Sequence, residues 1–246
     1  MAEIPDDLRR LWRLNTGSRL GRRAELDTDR IVAVAVGLAD RDGAAGATLP
    51  KIATALGVTP MSLYRHIGSK DELIALMADA AFGPVPESLI LEELWRPALR
   101  GWALAQADVF RRHAWLAQLP ISGPPRGPHA VAWMDAGLRA LRATDLDWAA
   151  KIGVITVVGG YVRQAFVTGR QLAESWSAEG VNEAESLRNY VGELREVLDA
   201  NRFQDIAALL DSGLLESIPE GPDSADADFR FGLELILDGV AVTAGP

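Results

Sequence analysis

Between Thr48 and Leu73 the chain reads TLPKIATALGVTPMSLYRHIGSKDEL, a run whose spacing leaves little freedom in how it folds. Ile52, Ala53 and Leu56 recur at helical intervals and lay an apolar stripe along one short helix. Thr48 stands where a cap belongs. Pro50 lies in the first turn, where a missing N–H is harmless because those donors have no intrahelical partner. Gly57 ends the helix: lacking a Cβ, it takes the left-handed conformation that a sharp corner needs, and Val58 packs beneath. A second short helix follows at once, with Thr59 as its cap, Pro60 at its first position, and Leu63 and Ile67 as its inward side. Met61, Ser62, Tyr64, Arg65 and His66 are left to project elsewhere.

Two helices joined through a tight glycine corner form the pattern of a helix-turn-helix reader. Its second helix enters a major groove, with N-terminal residues at base edges and Tyr and Arg reaching phosphates. Any helical hairpin with a Gly turn has similar spacing, so the neighbouring residues carry weight. Upstream, Asp29 to Asp40 places Ile31, Val34, Ala35 and Leu38 on one face of a supporting helix. Downstream, Ser69 and Glu72 have the spacing of a capping box, and Leu73, Ile74, Met77 and Ala81 line a helix leading out of the domain.

Charge follows the same division. The net charge of −9 is spread unevenly: residues 1–70 carry 11 Lys/Arg against 8 Asp/Glu, residues 71–246 carry 14 against 26. Attraction to phosphate is confined to the N-terminal part, while the acidic remainder suppresses indiscriminate DNA binding. Arg19, Arg22 and Arg23 precede the first helix near Gly17 and Gly21, as an arm for phosphates or the adjacent minor groove. Leu8, Leu11, Trp12 and Leu14 suggest a short amphipathic helix before them, which equally well docks on the protein's own body.

Arg30 to Phe82, above all LGVTPMSLYRHIGSKDELI, resembles the N-terminal DNA-binding domain of the tetracycline-repressor (TetR) family, with LYRH followed by SKDEL as the specific signature. WRPALRGWALAQADVFRRHAWLAQL is similar to the start of the regulatory domain in the branch nearest the tetracycline repressors, and FRFGLELILDGV to its final helix. The resemblance implies DNA contacts from Thr48, Lys51, Thr59, Pro60, Met61, Ser62, Tyr64, Arg65, His66 and Lys70. The sequence departs from those repressors at Met61 and at Pro50, where they carry a base-reading arginine, so their operator does not transfer. Met61 offers only apolar contact, and Tyr64 also suits a half-buried packing role.

The rest of the chain reads as helices. Trp95, Leu99, Trp102, Ala103, Gln106 and Phe110 share one face of a long helix, with Pro97 tolerable near its start. ISGPPRGP, residues 121–128, is a loop. Val131, Met134, Leu138 and Leu141 stripe the next helix, and another is expected from Trp148 to Gly169 after Asp145 and Asp147. Its segment IGVITVVGGYV is apolar all round and rich in β-branched residues. A lone strand would leave its backbone groups unpaired, so the segment is expected as a helix buried on more than one side, one of them against a second surface. Gly153, Gly159 and Gly160 permit close approach. Phe229, Leu233, Ile236, Leu237 and Val240 give the final segment, Asp226 to Val242, a matching stripe, and two such helices from each of two chains make a four-helix dimer interface.

The expected architecture is all-α: an N-terminal extension over residues 1–26, a three-helix helix-turn-helix domain over 27–83, and a larger helical effector-binding and dimerisation domain over 84–246. The resemblance implies a transcriptional regulator, by the family's commoner habit a repressor. Its homodimer holds a near-palindromic double-stranded operator and is released by a small effector. Trp102, Phe110, Trp133, Tyr161 and Gln164 are candidates to line the effector cavity, though each also suits ordinary core. His113 and His129 flank the segment over it, but no His/Glu arrangement supports a metal, and no cofactor is expected. With no run of about 18 apolar residues and an acidic start, the chain is expected to be cytoplasmic and without a membrane span, and the lack of cysteine excludes disulfides without identifying a compartment. A constitutive DNA-binding protein lacking an effector remains an alternative. An enzyme is disfavoured: there is no G-x-S-x-G, H-E-x-x-H or phosphate-cradling glycine loop, and there are three histidines.

Overall fold

The computed structural model describes residues 3–14, 26–217 and 222–244. The arginines expected to form a basic arm, Arg19, Arg22 and Arg23, lie outside them. The described elements are α1 (Asp6–Leu11), α2 (Thr28–Asp42), α3 (Leu49–Leu56), α4 (Pro60–Ile67), α5 (Lys70–Phe82), α6 (Glu87–Leu91), α7 (Trp95–Arg112), α8 (Pro128–Ala140), α9 (Trp148–Glu179), α10 (Glu183–Val197), α11 (Gln204–Asp211) and α12 (Pro222–Ala244). Short 3-10 turns occupy Ala44–Gly46, Ala114–Gln118 and Leu214–Glu216, and no strand occurs among the described residues. The fold is all-α, as the periodicity requires.

The chain forms two compact units, residues 1–163 with 240–246 and residues 164–239. In the first, α2 is the central support of the N-terminal bundle and packs on α3, α4 and α5. Asp27 caps it by accepting the Arg30 N–H at 2.8 Å, and Ile31, Val32, Ala35, Leu38 and Ala39 are buried. Further along this unit, α7 packs on α8, and α8 packs on α5. The second unit joins α10 to α11 and to the Leu214–Glu216 turn. Arg195 braces it by donating to the Leu210 carbonyl at 2.7 Å while pairing with Glu216 at 2.9 Å.

Three helices depart from their expected faces or lengths. In α8 the buried residues are Trp133, Ala136, Gly137 and Ala140, followed by Leu141, whereas Val131, Met134 and Leu138 are half-buried. Close packing explains the rotation: a Cβ on Gly137 would lie 3.0 Å from both Trp102 and Ile155, so Gly137 and its small neighbours Ala136 and Ala140 face inward beside Trp133. Helix α9 runs ten residues past Gly169, and it is buried on one side only. Ile155, Val158 and Val162 are buried, while Ile152 and Val157 are exposed. Its length and mean hydropathy of 1.2 over 18 residues match those of a helix able to cross a membrane. In α12, Leu233, Leu237 and Val240 turn inward, Phe229 and Ile236 are half-buried, and the exposed apolar residues are Phe231, Leu235 and Val242.

Candidate DNA interface

The corner between α3 and α4 is built as the sequence dictates. Gly57 adopts φ 69° and ψ 31°, and its N–H and that of Val58 close onto the Thr54 and Ala53 carbonyls. Leu63 and Ile67, fully buried, fasten α4 to the bundle. Met61, Tyr64 and Arg65, at helical one-four-five spacing, therefore share the opposite, exposed face. Met61 is 71% exposed and Tyr64 41% exposed, which places the Tyr64 ring at the surface rather than in the core. Thr48, Lys51, Thr59, Pro60 and Lys70 are exposed as well, while Ser62 and His66 are half-buried.

The threonines behave differently from simple caps. Thr48 and Thr59 occupy the N-cap positions of α3 and α4, yet neither side chain caps its helix. Instead Thr59 and Ser62 bond hydroxyl to hydroxyl at 2.9 Å. Only half of the expected capping box forms: Ser69 Oγ accepts the Glu72 N–H at 3.1 Å, but the Glu72 carboxylate turns to Arg10, 2.6 Å away. An arginine brought in by α1 offers the carboxylate a full opposite charge, which a backbone N–H does not. Lys51 lies 3.6 Å from Asp42. The Arg41 hydrogen bond, ahead of the opposing effect of desolvation, holds the Asp42 carboxyl below its usual range. At the surface this pair is weak.

Helix α1 docks on the protein's own body. Arg10 reaches Glu72 of α5, Arg13 pairs with Asp29 of α2 at 2.7 Å, and the Trp12 indole donates to the Arg126 carbonyl at 2.7 Å. Asp7 pairs with Arg126 at 2.9 Å. Beneath it lies a cleft of about 360 Å³, lined on one wall by Leu76, Asp79 and Phe82 of α5.

Three deeper ties join the N-terminal bundle to the helices after it. Asp40 at the end of α2 accepts from His113 Nδ1 at 2.8 Å and from the Trp115 indole at 2.7 Å. Asp79 of α5, 9% exposed, accepts the Ala130 N–H at 3.0 Å, and His129 Nδ1 lies 3.2 Å from its carboxylate and 3.0 Å from its carbonyl. Phe82 meets Phe110 and Trp133 edge-on, with centroids 6.1 and 6.2 Å apart. Both histidines thus serve as structural donors. Sequence periodicity could not reveal these partners, because the polar pairs join residues 50 to 75 positions apart.

Of the candidate effector residues, the structure gathers Trp102, Phe110 and Trp133. The two indole N–H groups are already engaged, Trp102 with the Trp133 carbonyl at 2.8 Å and Trp133 with the Gly83 carbonyl at 3.0 Å. Tyr161 is half-buried on α9. Gln164 is exposed and donates to Thr168 Oγ1 at 2.9 Å. Gln106, identified from sequence only as part of a helix face, is different: it is 8% exposed, and its Nε2 has no hydrogen-bond partner among the described residues. It lies beside Gly159, where an added Cβ would stand 3.7 Å from Gln106 Oε1.

Residues 31–77 match the family model described as bacterial regulatory proteins, tetR family, and residues 91–244 match that of the tetracyclin repressor-like C-terminal domain. The chain belongs to the TetR family of transcriptional regulators. This TetR family regulator is 33% identical over 241 residues to the HTH-type transcriptional repressor DrrR1 of Streptomyces coeruleorubidus, covering 98% of this chain and 86% of that protein. Apo ActR from Streptomyces coelicolor superposes with a TM-score of 0.72 at 25% identity, over 91% of this chain and 99% of that one. ActR in complex with actinorhodin gives a TM-score of 0.70 at 24% identity, over 90% and 99% of the two chains. The residues matched by the first of these models fall within the α2 to α5 bundle, and the relatives are transcriptional regulators.

Proposed function

We propose that the protein acts as a homodimeric, ligand-responsive repressor that holds a near-palindromic operator through α3, α4 and the start of α5. The observation that carries this reading is the bare outer face of α4, mounted on a helix whose opposite side is fully buried. Thr48 and Lys51 of the first motif helix, Thr59 to Ser62, Tyr64, Arg65 and His66 of the second, and Lys70 are assigned to DNA. The functional boundary of the DNA-binding domain falls at Gly83, where α5 ends.

The dimer reading rests on exposed apolar surface. In α9, Ile152 and Val157 are exposed beside Gly153 and Gly160; in α12, Phe231, Leu235 and Val242 are exposed. Such faces call for cover by a second copy rather than by lipid, since the charges of Lys151, Arg163, Arg170 and Glu174 are spread along α9. The face of α12 assigned to the partner is therefore not the stripe through Leu233 and Leu237. Two-fold symmetry would set the paired α4 helices about 34–36 Å apart, one duplex turn. For the effector we assign Gln106 as the polar handle, because a buried amide N–H without a partner costs about 1–3 kcal/mol and an acceptor oxygen on a ligand relieves that. ActR, which is crystallised with actinorhodin, supports a small organic molecule in this role.

The test is binding to duplex DNA from beside the protein's own gene. A specific complex is expected whose affinity falls steeply with salt, and Tyr64→Ala and Lys70→Ala are expected to weaken it while the dimer persists. A flat salt response, or unchanged affinity in both variants, would remove this surface from DNA.

A further inference from the structure

We propose that Met61 reads a thymine methyl group in each half of the operator, which makes it a specificity-determining residue. This rests on the DNA-binding reading and adds what that surface recognises. Met61 is the second residue of α4, in the turn that leads into a groove, and is 71% exposed. Its surroundings are short of polar groups that could read a base in its place. Pro60 has no N–H, the Ser62 N–H is used by the Thr59 carbonyl at 3.0 Å, and one O–H of the Thr59 and Ser62 pair is spent on the other, which leaves a single hydroxyl donor. Pro50, in the first turn of α3, is exposed and likewise has no N–H. The leading edge of the reader is therefore apolar where many readers carry an amide or a guanidinium.

The major groove presents acceptors and donors on every base pair, but one apolar group only, the C5-methyl of thymine. A thioether set over a guanine or adenine edge would desolvate N7, O6 or N6 without replacing the lost hydrogen bond, which selects against those bases. Over thymine it buries a methyl against a methyl. Tyr64 and Arg65 supply polar and phosphate contacts from the next turn of the same face and fix the register.

The experiment takes an operator duplex selected by the wild-type protein from a random pool and replaces each thymine in turn by deoxyuridine. That change removes the methyl and keeps the pairing and O4. Affinities are measured at one salt concentration for the wild type and for Met61→Ala. Removing the key methyl is expected to weaken wild-type binding about 4-fold per half-site, the equivalent of one buried methyl, and to have no effect on Met61→Ala at that position. Other thymines should behave alike in both proteins. Uracil sensitivity unchanged in Met61→Ala at every position would overturn the proposal, as would a uniform loss across all duplexes, the sign of a sugar or phosphate contact. In either case specific binding, and with it the regulator reading, survives. If the selection yields no specific duplex, both readings fall.

Discussion

Helix α8 starts without a capping side chain of its own, and the way that deficit is met can be tested by mutation. Its N-cap residue is Gly127, with φ −80° and ψ 155°, a conformation open to serine. The cap comes instead from another helix: Asp79 of α5 accepts the Ala130 N–H, third in α8, at 3.0 Å. Asp79→Ala removes this bond and leaves the N–H half-buried, for an expected loss of about 1–3 kcal/mol. Gly127→Ser adds a Cβ that would stand 2.0 Å from Asp79 Oδ1 and 2.4 Å from its Cγ. Relieving that overlap means displacing either the cap or the loop, again about 1–3 kcal/mol.

The two changes should not add. With Asp79→Ala in place, the two closest overlaps vanish and the nearest remaining atom is the Cβ of residue 79 at 2.9 Å, while the serine hydroxyl supplies a local cap. The double variant is therefore expected to be no less stable than the worse single one, which gives a favourable coupling of about 1–3 kcal/mol. Urea unfolding at one fixed protomer concentration measures the cycle, since the proposed dimerisation would make apparent stability depend on concentration. Additivity within about 0.5 kcal/mol would refute the trans cap.

Asp40→Ala should cost about 1–3 kcal/mol in the same assay, because it deprives two donors, one of them the indole of buried Trp115, whereas Arg10→Ala should cost about 1 kcal/mol or less because that pair is partly exposed. Equal losses would mean that exposure is a poor guide to these ties. Phe231→Glu with Leu235→Glu should weaken dimerisation at least ~10-fold in analytical ultracentrifugation and leave the helical circular dichroism signal intact. An unchanged dimer would move the interface off this face of α12.

The N-terminal bundle was legible because its signals are local. The Gly57 corner, the prolines at helix starts and the Leu63/Ile67 pair each act within a turn of the chain, so spacing alone fixes α3, α4 and the outward face of Met61, Tyr64 and Arg65. The stripe of α8 was misread for the opposite reason. Hydrophobicity ranks Met134 and Leu138 above Ala136 and Gly137, but the distance to α7 is set by the smallest side chains, and only the packed structure states that distance. In α12 the apolar residues ring the helix, so the stripe chosen from sequence was inward-facing, and Phe231 and Leu235 were passed over. Long-range polar ties leave no periodicity at all: Asp79 is an acidic residue in an apolar helix until Gly127 and Ala130 are brought beside it.

Those ties also decide where a signal can travel. A bound effector shifts operator affinity only if it prefers one of two geometries, and a coupling of 1–3 kcal/mol is typical. The link between α5 and α8 must then be stiff enough that moving one moves the other. Surface pairs such as Arg10 with Glu72 are each worth about 0–1 kcal/mol and yield under a load of that size. A second set acts together: the Asp79 cap, the Trp133 indole on the Gly83 carbonyl, and the Phe82 ring edge-on to Phe110 and Trp133 all lie within the last turn of α5 or at its end. Trp133 also receives the Trp102 indole on its carbonyl, and Trp102 stands one turn from Gln106 on α7. On the proposed reading, a ligand that engaged Gln106 and displaced Trp102 would load α8 and the end of α5 through these contacts.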